Sequence, residues 1–302
     1  MSDNFFRGLQ NLLEPEQCCR QEAMSSHITF RVGGPAEYYV RPGREQIPSV
    51  LSLCKEFQVP WMVIGNGSNL LVGDKGIPGL VIEIGKNMNK ITVKGNKITA
   101  EAGTLLSAAA CCAADHGLTG MEFASGIPGS IGGAVVMNAG AYGGEMKHVL
   151  TKATVLTLEG EEKELTLEEL DLGYRHSCIL KNRYIVLDAE IQLEEGKEEE
   201  IRRRMTELRQ QRNKKQPLEY PSAGSTFKRP EGYFAGKLIQ DTGLQGYQVG
   251  GAQISEKHCG FVINREQATA AEVRQLISDV QDRVEEKFGV RLEPEVKFIG
   301  EF

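Results

Sequence analysis

The stretch Gly126-Ile-Pro-Gly-Ser-Ile-Gly-Gly-Ala-Val-Val-Met-Asn-Ala-Gly-Ala-Tyr-Gly-Gly144 holds seven glycines in nineteen residues, and Ala134, Ala139 and Ala141 add little bulk. Glycine loses more backbone entropy on folding than any other residue, so this density needs a reason. Either φ > 0 is required repeatedly, or another group must lie close against the main chain. Exposed N–H groups in such segments form anion-binding nests, and they also suit a flat ring that needs hydrogen bonds. A mobile linker is the plain alternative, but Ile127, Ile131, Val135, Val136 and Met137 are poorly suited to water. The stretch reads as a buried loop built around a ligand.

A chain of 302 residues is long enough for two or three domains. A net charge of −6 argues against a general nucleic-acid or anionic-membrane surface. No apolar run approaches the roughly 20 residues that span a bilayer, and Met1-Ser-Asp-Asn-Phe-Phe-Arg7 lacks the pattern of a signal peptide. Seven cysteines, two pairs of them adjacent (Cys18-Cys19, Cys111-Cys112), do not suit a disulfide framework, and no spacing resembles a metal site. A reducing cytosol is the expected location.

Ile47, Val50, Leu51, Cys54 and Phe57 recur at helical spacing, with Pro48 in the first turn. Trp61–Ile64 and Leu80–Ile84 read as buried strands, and between them lies Gly65-Asn-Gly-Ser-Asn69. That turn lacks the ending of a Walker loop, and Leu70 stands where a dinucleotide fingerprint needs its third glycine. It reads either as a pyrophosphate cradle of backbone N–H groups with Ser68 and Asn69, or as a tight turn. Ile91–Glu101 alternates around Gly95-Asn96, a hairpin signal. Thr104 is expected to cap a helix through Ala114 that ends at Gly117.

Further on, Ala153–Leu158 and Tyr184–Ile191 read as strands, with Arg175 and His176 between them. Glu194–Arg212 reads as a connecting helix with a stripe of Ile201, Met205 and Leu208 and an otherwise solvated, charged face. Ser225 sits among small residues with two cations following it, outside any hydrolase elbow motif. Thr269 and Glu272 form a capping box for a helix whose apolar face is Val273, Leu276, Ile277, Val280 and Val284, stopped by Gly289. The chain closes on the strand-like Leu292–Gly300.

Six stretches, in order, resemble one family. They are Thr29-Phe-Arg-Val-Gly-Gly34, Gly65-Asn-Gly-Ser-Asn-Leu-Leu-Val72, Gly126–Ala134 with Asn138-Ala-Gly140, Tyr174-Arg-His-Ser177, Ala223-Gly-Ser-Thr-Phe-Lys228 and Glu293-Pro-Glu-Val296. The family is UDP-N-acetylenolpyruvoylglucosamine reductase, also called UDP-N-acetylmuramate dehydrogenase, which makes a bacterial peptidoglycan precursor. The resemblance implies an α+β chain with an FAD-binding fold of the vanillyl-alcohol oxidase type. Its two subdomains would occupy residues 1–85 and 86–213, and a C-terminal α+β substrate domain residues 214–295. A return of strand 296–302 to the second subdomain is left open.

By the same resemblance FAD is held without a covalent link. Ile64, Gly65, Asn66, Gly67, Ser68, Asn69 and Leu70 would surround its pyrophosphate. Ser125, Gly126, Ile127, Pro128, Gly129, Ser130, Gly132 and Gly133 would line the ring region, and Ala134, Asn138 and Gly140 would also bind the cofactor. NADPH would be the donor and a UDP-sugar enolpyruvyl ether the substrate. Arg175 would stabilise the substrate carboxylate as charge builds on it. Glu295 would stand beside that carboxylate, and Ser225 would donate the proton. Lys214, Lys215, Lys228 and Arg229 are candidates for the UDP diphosphate. The chain resembles the shorter form of the family, without the inserted loop whose tyrosine covers the substrate. Another FAD oxidoreductase of the same fold, or a non-catalytic nucleotide-binding module, are the alternatives. Neither metal nor nucleic acid is expected, and the oligomeric state is not legible.

Overall fold

The computed structural model describes residues 2–302, which divide into two compact units. The first comprises residues 2–19, 39–66 and 80–212, and the second residues 20–38, 67–79 and 213–302. The units are interleaved in sequence, so neither is a single run of chain.

In the first unit, helix α1 (Ser2–Leu12) lies against α2 (Ile47–Phe57), with Phe5 and Phe57 edge to face at 5.9 Å between ring centres. Pro48 falls in the first turn of α2, as the spacing predicts, and Ile47, Val50, Leu51 and Cys54 are buried. Strand Trp61–Ile64 runs parallel to Ile77–Glu83 in the register Trp61↔Leu80 to Ile64↔Glu83. A five-stranded antiparallel sheet follows, ordered Glu162–Thr166, Leu150–Leu156, Ile185–Gln192, Lys97–Glu101 and Ile91–Lys94. Its last two strands form the hairpin expected around Gly95-Asn96, and Gly95 takes φ +61° there.

Helix α3 (Leu106–Asp115) departs from expectation at its start. Thr104 does not cap it, because the next residue, Leu105, is extended and forms a β-bridge with Ser130. Ile131 donates to the Thr104 carbonyl at 2.8 Å, and Leu106 donates to that of Gly129 at 2.9 Å. Leu105 becomes the N-cap, and the buried Thr104 hydroxyl has no hydrogen-bond partner. The alanine face of α3 is buried through Ala109, Ala110, Ala113 and Ala114. Next come α4 (Ile131–Met137), packed on strand Ile185–Gln192, the short α5 (Cys178–Asn182) and the long α6 (Glu198–Lys215).

In the second unit, α7 (Ala235–Asp241) packs on α8 (Ala270–Phe288), which also covers a three-stranded antiparallel sheet of Gln248–Val249, Ala252–Ile254 and Val262–Asn264. The Thr269–Glu272 capping box forms, and Gly289 ends the helix at φ +67°. Asp74 reinforces the same terminus by accepting from the N–H groups of Ala270 and Ala271 at 2.7 and 2.9 Å. The late strand Lys297–Ile299 pairs in parallel with Leu70–Val72. Among the described residues no helix is long and apolar enough to cross a membrane.

Candidate active site

Within the first unit, Gly65 and Asn66 meet the glycine-rich stretch that begins at Gly126. Asn66 donates its side-chain amide to the Pro128 carbonyl at 2.7 Å, and a Cβ on Gly65 would stand 2.4 Å from the Ser130 hydroxyl oxygen. A side chain at position 65 would displace the Ser130 hydroxyl from this position. Ser130 is buried and caps α4, accepting from Gly133 at 3.5 Å. Among the described residues the N–H groups of Gly126, Gly129 and Ser130 find no acceptor. Gly126, Pro128 and Gly133 are exposed, while Ser125, Ile127 and Gly129 are half-buried. Open backbone donors with almost no side chain in front of them fit a flat ring with carbonyl and ring-nitrogen acceptors, which is the chemistry of a flavin.

The remaining named positions of this stretch serve the fold directly. A Cβ on Gly132 would meet that of Ala102 at 2.9 Å, and one on Gly140 would meet the Gly144 carbonyl at 2.6 Å. Ala134 is buried in α4. Asn138, left-handed at the end of α4, donates to Glu145 at 2.7 Å and to the Gly173 carbonyl at 3.1 Å, and accepts from Lys147 at 3.0 Å.

The bond to Gly173 ties the end of the glycine stretch to the turn that carries Arg175. In that turn Gly173 and His176 exchange main-chain bonds of 3.1 and 3.3 Å, which forces Arg175 to φ +54°. Non-glycine residues seldom adopt this conformation, so the turn holds the half-buried arginine under strain. Its guanidinium stands over the Tyr174 ring at 5.2 Å, and Ser177 anchors the turn through the Val136 carbonyl at 2.7 Å.

In the second unit the segment from Gly67 to Asn69 is held by its own contacts. Gly67, at φ +60°, has the His27 carbonyl 2.2 Å from where its Cβ would be, and Thr29 donates to its carbonyl at 3.3 Å. Asn69 donates to the Glu295 carbonyl at 3.2 Å and accepts from Lys297 at 2.9 Å. Leu70 begins a strand here and Ser68 before it is half-buried, whereas Ile64 ends a strand of the first unit.

Ser225 and Glu295 are brought together by a short antiparallel zipper. Glu295 donates its N–H to the Thr226 carbonyl, Lys228 donates to that of Glu293, both at 2.8 Å, and Phe227 opposes Pro294. Thr226 is buried and clamped by Gly260 and Val262, whereas Ser225 beside it is exposed and Glu295 is 9% exposed. Gly224 turns the chain into this segment at φ +75°. Arg175 belongs to the first unit, and Ser225 and Glu295 belong to the second.

The four cation candidates have differing surroundings. Lys228 forms an ion pair with Glu293, Arg229 stands 4.0 Å over the Phe234 ring, and Lys214 and Lys215 are exposed at the end of α6. The half-buried His258, edge-on to Phe261, is held below the usual imidazole range by burial, with Lys215 adding to the effect. The sequence reading missed Arg212, which lies beside Gly126, and Tyr142, which is a polar neighbour of Arg212. A signal existed for the first, since Arg212 continues the Ile201, Met205, Leu208 stripe.

These features define a flavoprotein of the vanillyl-alcohol oxidase fold type, and residues 36–166 match the FAD binding domain family. Residues 216–299 match the C-terminal domain of UDP-N-acetylenolpyruvoylglucosamine reductase. The chain belongs to the UDP-N-acetylenolpyruvoylglucosamine reductase family. A relative of that name from Agathobacter rectalis is 56% identical over 314 residues, covering all of both chains. Another, from Clostridium perfringens, is 53% identical over 297 residues, covering 98% of this chain and 97% of the relative. The crystal structure of UDP-N-acetylenolpyruvylglucosamine reductase from Thermus caldophilus is similar with a TM-score of 0.80 at 38% identity, covering 94% of this chain and 98% of that one. An alkyldihydroxyacetonephosphate synthase, 17% identical with a TM-score of 0.50 over 64% of this chain and 44% of its own, shares the fold alone.

Proposed function

We infer that the chain is an FAD-dependent reductase that converts the enolpyruvyl ether of UDP-N-acetylglucosamine to UDP-N-acetylmuramate, with NADPH as donor. FAD, when bound, would supply two-electron hydride chemistry between NADPH and the substrate double bond. Residues 1–85 and 86–213 would hold the cofactor, and residues 214–295 the UDP-sugar. The Gly65–Asn69 turn offers its backbone and short polar side chains to the pyrophosphate, and Ser125–Gly133 offers open N–H groups to the ring.

Arg175 presents a planar, permanently charged fork to the substrate carboxylate, where negative charge grows during reduction. Glu295 orients the same group and shares a proton with it. Ser225 donates the proton to the carbon that bears the ether oxygen, since that carbon becomes strongly basic. The observation that most supports this assignment is the zipper between residues 226–228 and 293–295, which holds Ser225 and Glu295 in register. Lys214, Lys215, Lys228 and Arg229 are the diphosphate-binding candidates. Seven free cysteines and a nucleotide-sugar substrate support a cytoplasmic location.

The purified protein tests the proposal. A yellow preparation bleached by NADPH and recoloured by the enolpyruvyl substrate is expected. A colourless preparation that takes up no FAD would refute it.

A further inference from the structure

The second unit holds a cleft of about 490 Å³ that is lined by neither Ser225 nor Glu295. Ser25 and Arg31-Val-Gly33 form one side of it. Tyr220-Pro221 and the turn from Asn264 to Ala268 form the other. Asn264, only 8% exposed, joins the two sides. Its side-chain amide donates to the carbonyls of Phe30 and Arg31 at 3.2 and 3.4 Å, and its side-chain oxygen accepts from the Ala268 N–H at 2.8 Å. Its main-chain N–H donates to the Pro221 carbonyl at 2.9 Å, and Thr29 donates its hydroxyl to the Ser222 carbonyl at 2.6 Å. The walls are thus tied together by the chain itself.

Two arginines line this space. Arg265 stands 4.8 Å over the Tyr220 ring and donates to its hydroxyl at 2.6 Å, which orients the guanidinium and leaves other N–H groups of the fork to spare. Among the described residues the Arg31 side chain makes neither hydrogen bond nor ion pair. Arg31 is left-handed at φ +55°, where its N–H closes a turn onto the Ile28 carbonyl at 3.1 Å, and Gln267 on the facing side is left-handed at φ +53°. Such angles cost free energy for any residue but glycine, and they gather where side chains are aimed at a ligand. No lining residue is acidic. The chain has a net charge of −6 and pairs Arg44, Arg202 and Arg291 with carboxylates, yet it leaves these two cations without one.

We propose that the cleft binds a small phosphorylated molecule, whose phosphate oxygens are gripped by Arg31 from one side and Arg265 from the other. A guanidinium fork matches phosphate geometry and takes two oxygens at once. The volume lies within the roughly 300–1,000 Å³ of small-ligand pockets, so a sugar-sized body fits beside the phosphate, next to Tyr220 and Ser25. The site is separate from the four diphosphate candidates, Lys214, Lys215, Lys228 and Arg229, none of which lines the cleft. It does not depend on the FAD reading.

Calorimetric titration of the full-length protein with sodium pyrophosphate, at constant ionic strength, tests the proposal. Saturable binding is expected, weakened at least about tenfold by Arg31→Gln and likewise by Arg265→Gln. Arg31→Lys should recover only part of the loss, because an ammonium keeps the charge without the fork. Lys228→Ala should leave this binding in place. Thermal melting checks that each variant is folded. Should Arg265→Gln not fold once Tyr220 loses its partner, Arg31→Gln decides the matter alone. Absence of saturable binding, or equal affinity in wild type and the Gln variants, would overturn the proposal. So would binding that survives in the Gln variants and vanishes in Lys228→Ala, which would assign the anion to the sugar-nucleotide site instead.

Discussion

The main-chain N–H of Glu295 donates to the Thr226 carbonyl at 2.8 Å, so the late carboxylate is registered one residue away from Ser225. The bond is made by backbone, and a change of side chain leaves it in place. Glu295→Gln should therefore fold normally and keep flavin reduction by NADPH. Turnover should fall by about 10²–10⁴, the usual worth of a positioned acid or base. Native turnover in this variant would remove the carboxylate from the mechanism.

Arg175 sits at φ +54°, and lysine bears the same backbone strain there. Arg175→Lys thus isolates the loss of the planar fork. We expect the step in which substrate re-oxidises the flavin to slow about a hundredfold or more, with flavin reduction nearly unchanged. Single-turnover absorbance at the flavin band separates the two steps. Equal slowing of both would point to a structural role for the turn.

A methyl group on Gly65 would force the hydroxyl of the buried Ser130 to move, because its Cβ would lie 2.4 Å from that oxygen. Overpacking of this kind costs about 1–3 kcal/mol. Gly65→Ala should displace the Ser130 segment and weaken FAD binding by about tenfold or more, read by flavin fluorescence on titrating apoprotein. FAD affinity equal to wild type would mean that the contact between the two glycine clusters does not shape the site.

Arg44 grips Glu162 through two bonds of 3.0 and 2.7 Å and Asp188 through one of 2.6 Å. The Arg44 hydrogen bond holds the Glu162 carboxyl below the ordinary glutamate range, and Arg44 itself is raised, first by Glu162 and further by Asp188. A depressed folded value means that the pair stabilises the protein above the unfolded glutamate value of about 4.3 and loses that contribution as pH falls through the folded one. The gap in melting temperature between wild type and Glu162→Gln should be constant near neutrality and close in acid. It should also be small, since the carboxylate is half exposed and such pairs contribute under about 1 kcal/mol. A gap that persists undiminished at pH 3 would contradict this account.

Local signals in the sequence carried the secondary structure well where the chemistry is local. Pro48 in a first turn, Gly95 in a hairpin and the Thr269–Glu272 box each act within four residues, and each is where the spacing puts it. Thr104 failed because a distant partner, the 129–131 segment, captured its backbone before a helix could begin. The glycine clusters were legible as backbone-approach sites from composition alone. Their contact through Asn66 and Pro128 spans 62 residues and leaves no local trace. Ser225 had nothing to distinguish it from any turn serine until resemblance supplied a role, because its setting comes from residues near 260 and 295. Arg212 was hidden by its neighbours: on a helix with so many solvated charges, one inward-facing cation looks like the rest.

The most direct measurement is stopped-flow absorbance of Ser225→Ala mixed first with NADPH and then with the enolpyruvyl substrate, both without oxygen. The flavin should bleach at close to the wild-type rate, and the colour should return at least about a hundredfold more slowly, since the proton donor is gone. Recolouring at the wild-type rate would contradict the assignment of Ser225 as that donor.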